Sequence, residues 1–200
     1  MPTDKQIEFL FDYGSPFSYV AEMIIDDFAA RNRATIRRIP ILLGGVHKAT
    51  ENKSPFLETC VPKRNYGSLT MQRWVAHHGI TLNPNPAFPI NTLAAMRMAV
   101  AAQHLGVFEK FHLPVFKAFW VDQKDMGDMQ VFAGVLQEAG LNAEEIFNTS
   151  QEQSIKDKLK KNTEDAVARG VFGAPSFFFE DQLYFGQDHL IFLEAALQAA

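Results

Sequence analysis

Two serines lie three residues apart in the run Ser15-Pro16-Phe17-Ser18, directly after a short alternating apolar segment. Proline is well suited to the first turn of a helix, so Ser15 is predicted to lie at a helix N-terminus. Unpaired backbone N–H groups and the positive end of the helix dipole stabilise an anion at such a position. The Ser15 hydroxyl could therefore donate a hydrogen bond to a bound anion such as a thiolate. The turn alone equally fits a serine that only caps the helix.

A second candidate site is the run 170–176, in which Pro175 lies between a glycine-containing loop and an apolar strand. A proline in this position is a candidate for a cis peptide bond. The backbone of Ala174 would then face outward, and an extended peptide could pair with its N–H and C=O groups. The alternative is the more common trans-proline, which would merely open the strand.

The strands that position these two sites are predicted to pair in one sheet. Alternation over 5–12 and 34–39 predicts strands, and an apolar stripe over 16–31 predicts the helix between them. Such a βαβ unit has parallel strands and a right-handed crossover. Strands over 176–180 and 183–185 form a hairpin around Asp181-Gln182, and Asp188 is predicted to cap a final helix.

Nearly all periodic sequence between these two units is helical. The predicted helices cover 68–78, 91–104, 107–121 with an interruption or kink near Pro114, 129–139, 143–148 and a charged segment from 150 or 154 to 170. The sequence therefore predicts an α/β protein with a thioredoxin-like βαβ…ββα fold and a large all-helical insertion. We place the thioredoxin-like domain at 1–45 plus 165–200 and the inserted helical domain at 46–164.

Composition excludes several classes of protein. With 47% hydrophobic residues the chain of 200 residues is globular, and its net charge of −4 offers no basic surface typical of nucleic-acid binding. The single Cys60 excludes an internal disulfide, a dithiol motif and a cysteine-rich metal site. No histidine or carboxylate cluster has metal-ligand spacing, so we expect no metal. We expect a cytoplasmic protein, because no signal peptide or membrane span is recognisable.

Several short motifs distributed along almost the whole chain resemble one known family. They occupy 11–18, 42–46, 88–92, 118–120 and 170–176. Together they resemble the 2-hydroxychromene-2-carboxylate isomerases and kappa-class glutathione transferases, which belong to the DsbA-like branch of the thioredoxin superfamily. In that superfamily a Cys-x-x-Cys motif opens the first helix opposite a cis-proline. Ser15 and Ser18 stand at those two cysteine positions.

The resemblance implies that glutathione is the cofactor. It assigns Ser15 as the catalytic residue that hydrogen-bonds the glutathione sulfur, and it favours a cis peptide bond before Pro175. A helix N-terminus also lowers a thiol pKa, which agrees with this role. The remaining glutathione-binding residues implied by the resemblance are Pro16, Phe17, Asn52, Lys63, Ala174, Pro175, Gln187 and Asp188. Lys63 would lie near the glycine end and Gln187-Asp188 at the γ-glutamyl end, whereas His189 replaces an arginine usual in the family.

The implied reaction is an isomerisation in which a glutathione thiolate adds to an unsaturated aromatic 2-oxo acid and is later eliminated. The substrate would be 2-hydroxychromene-2-carboxylate, converted to trans-o-hydroxybenzylidenepyruvate, with Lys48 as a candidate for its carboxylate. Lys48 could equally be exposed. Two alternatives stay open: a kappa-class-like glutathione transferase and a non-catalytic thioredoxin-like binding module. Similar proteins are dimers, so we expect a homodimer.

Overall fold

The computed structural model describes residues 5–200, and these form a mixed four-stranded sheet with helices on both faces. The strands are β1 (Gln6–Phe11), β2 (Thr35–Pro40), β3 (Ser176–Phe179) and β4 (Gln182–Phe185), in the spatial order β2-β1-β3-β4. β1 runs parallel to β2 with Gln6 opposite Thr35, whereas β3 is antiparallel to both β1 and β4. The predicted thioredoxin-like sheet is therefore confirmed.

Eight helices follow the predicted order, whereas the helix over Leu43–Thr50 was not predicted. The helices are α1 (Pro16–Arg31), α2 (Leu43–Thr50), α3 (Val61–His78), α4 (Leu93–His104), α5 (Phe108–Trp120), α6 (Met129–Glu138), α7 (Ala143–Ser150), α8 (Gln153–Ala168) and α9 (Leu190–Ala199). α1 connects β1 to β2, α9 follows β4, and the other seven lie between β2 and β3. This is the expected helical insertion. Its division from the rest at 45/46 and 164/165 stays a prediction.

The alternation of β1 divides its side chains between two apolar layers. Ile7, Phe9 and Phe11 face a core shared with α1, α9 and the inserted helix α5. Leu10 faces the opposite layer, where it belongs to a smaller cluster with Val46 of α2 and Ala166 of α8. Because the insertion packs directly on the sheet, the end of β1 is fixed from both sides.

Three local predictions need correction. α3 begins at Val61, not at 68, because Pro62 occupies the first helical turn where its missing N–H costs nothing. α5 is one continuous helix through Pro114, so the predicted interruption is wrong, whereas the alternative of a kink there stays a prediction. A 3₁₀ turn over Gln187–His189 precedes α9, so Asp188 does not cap that helix.

The hairpin turn is also shifted by one residue. β4 begins at Gln182, so the turn consists of Glu180 and Asp181, and Glu180 adopts a left-handed backbone with φ 54°.

Within residues 5–200 two peptide bonds are cis: Ala174–Pro175, as the resemblance implied, and Phe88–Pro89, which was not foreseen. None of the helices in the described part of the chain is both long enough and apolar enough to cross a bilayer.

Candidate active site

The turn between β1 and α1 places Ser15 opposite the cis-proline loop. Ser15 is the N-cap of α1, and its Oγ accepts a hydrogen bond of 3.1 Å from the N–H of Ser18. The same hydroxyl donates to the carbonyl oxygen of Ala174 over 2.9 Å. Two motifs separated by 159 residues thus meet through one hydroxyl group. The serine that marks the helix N-terminus is also the residue that faces the peptide bond preceding Pro175.

The buried carboxylate of Asp12 holds this turn in place. Its Oδ1 accepts from the N–H of Gly14 at 2.8 Å, and its Oδ2 accepts from the N–H of Leu43 at 2.8 Å and from Oγ1 of Thr92 at 3.1 Å. Burial raises the pKa of Asp12, and these hydrogen bonds oppose that rise. The turn, the start of α2 and the start of α4 are therefore joined through one side chain.

Glycine is required at Gly14 by this close packing. A Cβ on Gly14 would lie 2.9 Å from Cγ2 of Thr92, closer than real side chains approach. A second close approach occurs in the cis-proline loop, where a Cβ on Gly173 would lie 2.8 Å from the ring of Phe185. Both glycines thus let backbone lie directly against the walls of the site.

A cleft of about 280 Å³ opens between the Ser15 turn, the cis-proline loop, α2 and α3. Eight of the ten site residues predicted from the sequence line it: Ser15, Pro16, Phe17, Asn52, Ala174, Pro175, Gln187 and Asp188. The remainder of the lining includes four aromatic side chains, Phe56, Trp74, Phe88 and Phe185. The lining thus combines polar groups with aromatic rings, as an amphipathic ligand requires.

Lys48 and Lys63 are not among the residues that line the cleft. Lys48 is exposed on α2, whereas Leu43 and His47, four residues apart on one face of that helix, line the cleft. Lys63 lies in the first turn of α3 with its side chain 75% exposed, and it forms an ion pair with Glu58. The binding roles assigned to both lysines stay predictions.

The polar residues that line the cleft include one with an unpaired acceptor. Gln187 is 5% exposed, and its Oε1 has no hydrogen-bond partner. The neighbouring Asp188 folds back against the backbone of Gly186, where φ is +91° and a Cβ would lie 2.4 Å from Oδ1 of Asp188. Asn52 extends from the end of α2 and donates from Nδ2 to the carbonyl oxygen of Phe172 over 2.8 Å. The side-chain oxygens of Gln187 and Asp188 can accept from the ammonium and amide N–H groups of a peptide ligand, whereas Oδ1 of Asn52 already accepts from the N–H of Lys53 at 2.8 Å.

Comparison with known proteins assigns the fold. Residues 6–198 match the DSBA-like thioredoxin domain. The chain belongs to this DsbA-like family. The 2-hydroxychromene-2-carboxylate isomerase of Sphingobium xenophagum is 30% identical to it over 193 residues, covering 96% of this chain and 98% of that one. A kappa 1 glutathione S-transferase of Caenorhabditis elegans is 30% identical over 211 residues, with 96% and 91% coverage.

A solved structure of a 2-hydroxychromene-2-carboxylate isomerase superimposes on the DsbA-like chain with a TM-score of 0.79 at 27% identity, covering 97% of this chain and 95% of that one. A probable DsbA oxidoreductase from Streptomyces coelicolor gives a TM-score of 0.72 at 15% identity, which is a likeness of fold alone. The full-length relatives named above are enzymes, and this supports an enzymatic role for the DsbA-like chain.

His47 is a site residue that the sequence reasoning missed. It lines the cleft of this DsbA-like protein, and burial lowers its pKa. Its imidazole is therefore mainly neutral near pH 7, able to donate from one ring nitrogen and accept at the other. The available signal was the helical phase of α2, which places residue 47, one turn after Leu43, on the cleft face.

A buried polar network behind the Ser15 turn was also missed. The hydroxyl of Tyr13 lies 2.8 Å from Nδ1 of His112, and Nε2 of His112 lies 3.0 Å from Oε2 of Glu22. Glu22 in turn accepts hydrogen bonds from the guanidinium of Arg38. Burial lowers the pKa of His112, although Glu22 opposes this shift. The network fixes the tyrosine two residues before Ser15 within the core.

Proposed function

We propose that the protein is a glutathione-dependent isomerase that converts 2-hydroxychromene-2-carboxylate to trans-o-hydroxybenzylidenepyruvate. The observation that carries the proposal is the position of the Ser15 hydroxyl, at the N-terminus of α1 and 2.9 Å from the carbonyl oxygen of Ala174. The 2-hydroxychromene-2-carboxylate isomerases that match nearly the full chain support the reaction. An aromatic cleft wall beside Ser15 supports the substrate class.

The residues of the cleft fit glutathione. Cys60 is exposed and does not line the cleft, so a thiol beside Ser15 has to come from a ligand. The carbonyl group of Ala174 can accept from the backbone N–H of a bound tripeptide when the Ser15 hydroxyl turns from it to the sulfur. The unpaired Oε1 of Gln187 can accept from the γ-glutamyl ammonium group.

Other groups complete this binding arrangement. Pro16 and Phe17 form the wall beside the sulfur, and Asn52 and Asp188 border the peptide. Lys63 would reach the glycine carboxylate only by exchanging its ion pair with Glu58.

Bound glutathione supplies a thiolate that adds reversibly to the double bond of the substrate. Ser15 stabilises the negative charge by donating its hydroxyl hydrogen, and the N-terminal N–H groups of α1 act in the same direction. Phe56, Trp74 and Phe88 hold the aromatic ring and exclude water. His47, which lines the cleft where Lys48 does not, donates an N–H to the substrate carboxylate.

The test combines product analysis with a measurement of free thiol. Purified protein is incubated with the chromene carboxylate, with and without glutathione, while substrate, product and free glutathione are quantified by chromatography. An isomerase gives product only when glutathione is present, and it leaves total glutathione unchanged. Turnover independent of glutathione would refute the proposal. Ser15→Ala should lose most of this turnover. Ser18→Ala is its matched control, because Ser18 is buried one turn away and its hydroxyl has no partner.

A kappa-class-like transferase is the second candidate, because kappa glutathione S-transferases also match nearly the full chain. In the same assay a transferase consumes free glutathione and accumulates a conjugate. A non-catalytic binding module would bind glutathione in calorimetry but give neither product.

A homodimer and a cytoplasmic location, where thiols stay reduced, belong to the same proposal. Light scattering measures the molar mass in solution, and cell fractionation measures the location.

A further inference from the structure

The inner face of α3 presents one hydroxyl group within an otherwise apolar wall. Thr70 and Trp74 are four residues apart, so they lie on the same face of the helix, and both line the cleft. Oγ1 of Thr70 is buried and has no hydrogen-bond partner. The wall around it includes the aromatic rings of Phe56 and Phe88, which contact each other edge to face at 4.7 Å.

The unpaired Thr70 hydroxyl differs from the hydroxyls of Thr50 and Thr163, two other threonines within helices. Thr50 donates to the carbonyl oxygen of Val46 at 2.9 Å, and Thr163 donates to that of Leu159 at 2.8 Å. Both bonds run to the residue four positions earlier, the usual arrangement for a threonine within a helix. The Thr70 hydroxyl makes no such bond, although Thr70 lines the cleft.

A buried hydroxyl without a partner has lost its hydrogen bonds to water, so a ligand group that pairs with it restores a favourable interaction. A single neutral hydroxyl among aromatic rings suits a neutral polar group, because a charge there would be poorly compensated. The indole of Trp74, one turn along the helix, offers a flat face to an aromatic ring. The matching ligand feature is therefore a hydroxyl group attached to an aromatic ring.

We propose that Thr70 and Trp74 together recognise the aromatic ring of the substrate. Trp74 contacts the face of the ring, and the Thr70 hydroxyl forms a hydrogen bond with a hydroxyl group on the ring. Ring-hydroxylated aromatic acids are then preferred over the same acids without the hydroxyl. This inference rests on the proposed function in one respect, that the cleft beside Ser15 is the substrate site. It does not depend on the chemistry at the sulfur.

The test compares two stable probe ligands, trans-2-hydroxycinnamate and trans-cinnamate, by calorimetric titration of the full chain in the presence of glutathione. We expect the wild-type protein to bind the hydroxylated probe about tenfold more tightly, the effect of one hydrogen bond to a buried hydroxyl. Thr70→Val keeps the side-chain shape and should abolish this preference. Thr70→Ser should retain it.

Two further variants complete the design. Trp74→Ala should weaken both probes by similar factors, because both carry the same ring. Thr50→Val is the matched control, since its hydroxyl is paired within α2 and does not line the cleft. It should leave both affinities unchanged, and circular dichroism establishes that each variant is folded.

The inference is overturned if wild-type protein binds the two probes equally, if Thr70→Val retains the preference, or if neither probe binds at millimolar concentration. Failure of the proposed function has a different signature. In that case Ser15→Ala leaves isomerisation unchanged, or no isomerisation occurs, while the difference between the two probes and its loss in Thr70→Val remain.

Discussion

Replacing Ser15 by alanine should raise the pKa of the thiol of bound glutathione without abolishing glutathione binding. The hydroxyl of Ser15 is the group that would donate to the sulfur, and it is already positioned at the N-terminus of α1. The backbone N–H groups at that terminus remain in the variant. The pKa of the bound thiol should therefore rise but stay below its ordinary value of about 8.5.

The expected shift follows from the energy of one hydrogen bond to a charged acceptor. Such a bond contributes about 1.5–3 kcal/mol, which corresponds to about 1–2 units of pKa. Because a pKa below about 8.5 leaves at least about 3% thiolate at pH 7, the fraction of thiolate, and with it kcat, should fall by up to about 30-fold at that pH. The variant also loses its bonds to Ser18 and Ala174. Each contributes about 1 kcal/mol, so Tm should fall by about 4–8 °C.

The assay is ultraviolet absorbance of the bound thiolate, recorded as a function of pH with saturating glutathione, together with the pH profile of kcat. Ser15→Thr should retain the low pKa because it keeps a hydroxyl. Ser18→Ala is the matched control for burial and position, since the Ser18 hydroxyl has no partner to lose.

The shape of the pH profile separates this role from a structural one. If Ser15 acts on the sulfur, the rate of Ser15→Ala recovers as pH rises through the new thiol pKa. A uniform loss of rate at every pH, with the thiolate absorbance unchanged, would refute the reasoning.

Three further predictions concern the surroundings of the site. Burial lowers the pKa of His112, so protonation of His112 favours the unfolded state. The free energy of unfolding should therefore fall as pH drops below about 6.5, by at most about 1.4 kcal/mol per pH unit. Denaturant titrations at several pH values measure this slope, and His112→Gln should flatten it. Gly173→Ala places a methyl group 2.8 Å from a ring carbon of the cleft wall and should lower stability by about 1–3 kcal/mol while raising the Kd for glutathione. Gly134→Ala, in a helix with open space around it, should instead gain up to about 1 kcal/mol, and equal behaviour of the two variants in calorimetry would contradict the packing argument. His47→Ala should raise KM for the carboxylate substrate about tenfold whereas Lys48→Ala should not, and steady-state kinetics showing the reverse would restore the lysine as the carboxylate partner.

The fold could be predicted because its signals are local. Alternation fixes β1, and a proline in the first turn together with a preceding serine fixes the start of α1. The same proline signal was missed at Pro62, which occupies the first turn of α3 although that helix was predicted to begin at 68. Local signals thus gave the order of the elements, but they left some helix ends several residues in error.

The site could be predicted only in part, for two physical reasons. Which side chain of α2 enters the cleft depends on the rotation of the helix, and one residue changes the direction by about 100°. The sequence therefore suggested Lys48 where the cleft contains His47. The pairing of His112 with Glu22 joins residues 90 positions apart on different helices, and no local pattern reports such a contact.

α3, which contributes Trp74 to the aromatic lining of the cleft, has no buried residue along its 18 positions. Substitutions along this helix remove little packed surface, so most should change the free energy of unfolding only slightly. The Ser15 turn and the cis-proline loop, by contrast, are embedded in the core. The Ser15 hydroxyl, which would activate the thiol, thus lies in a segment that tolerates few substitutions. The α3 side chains that would contact the substrate lie in a segment that tolerates many. Substrate range can diversify along α3 while the reactive centre stays the same.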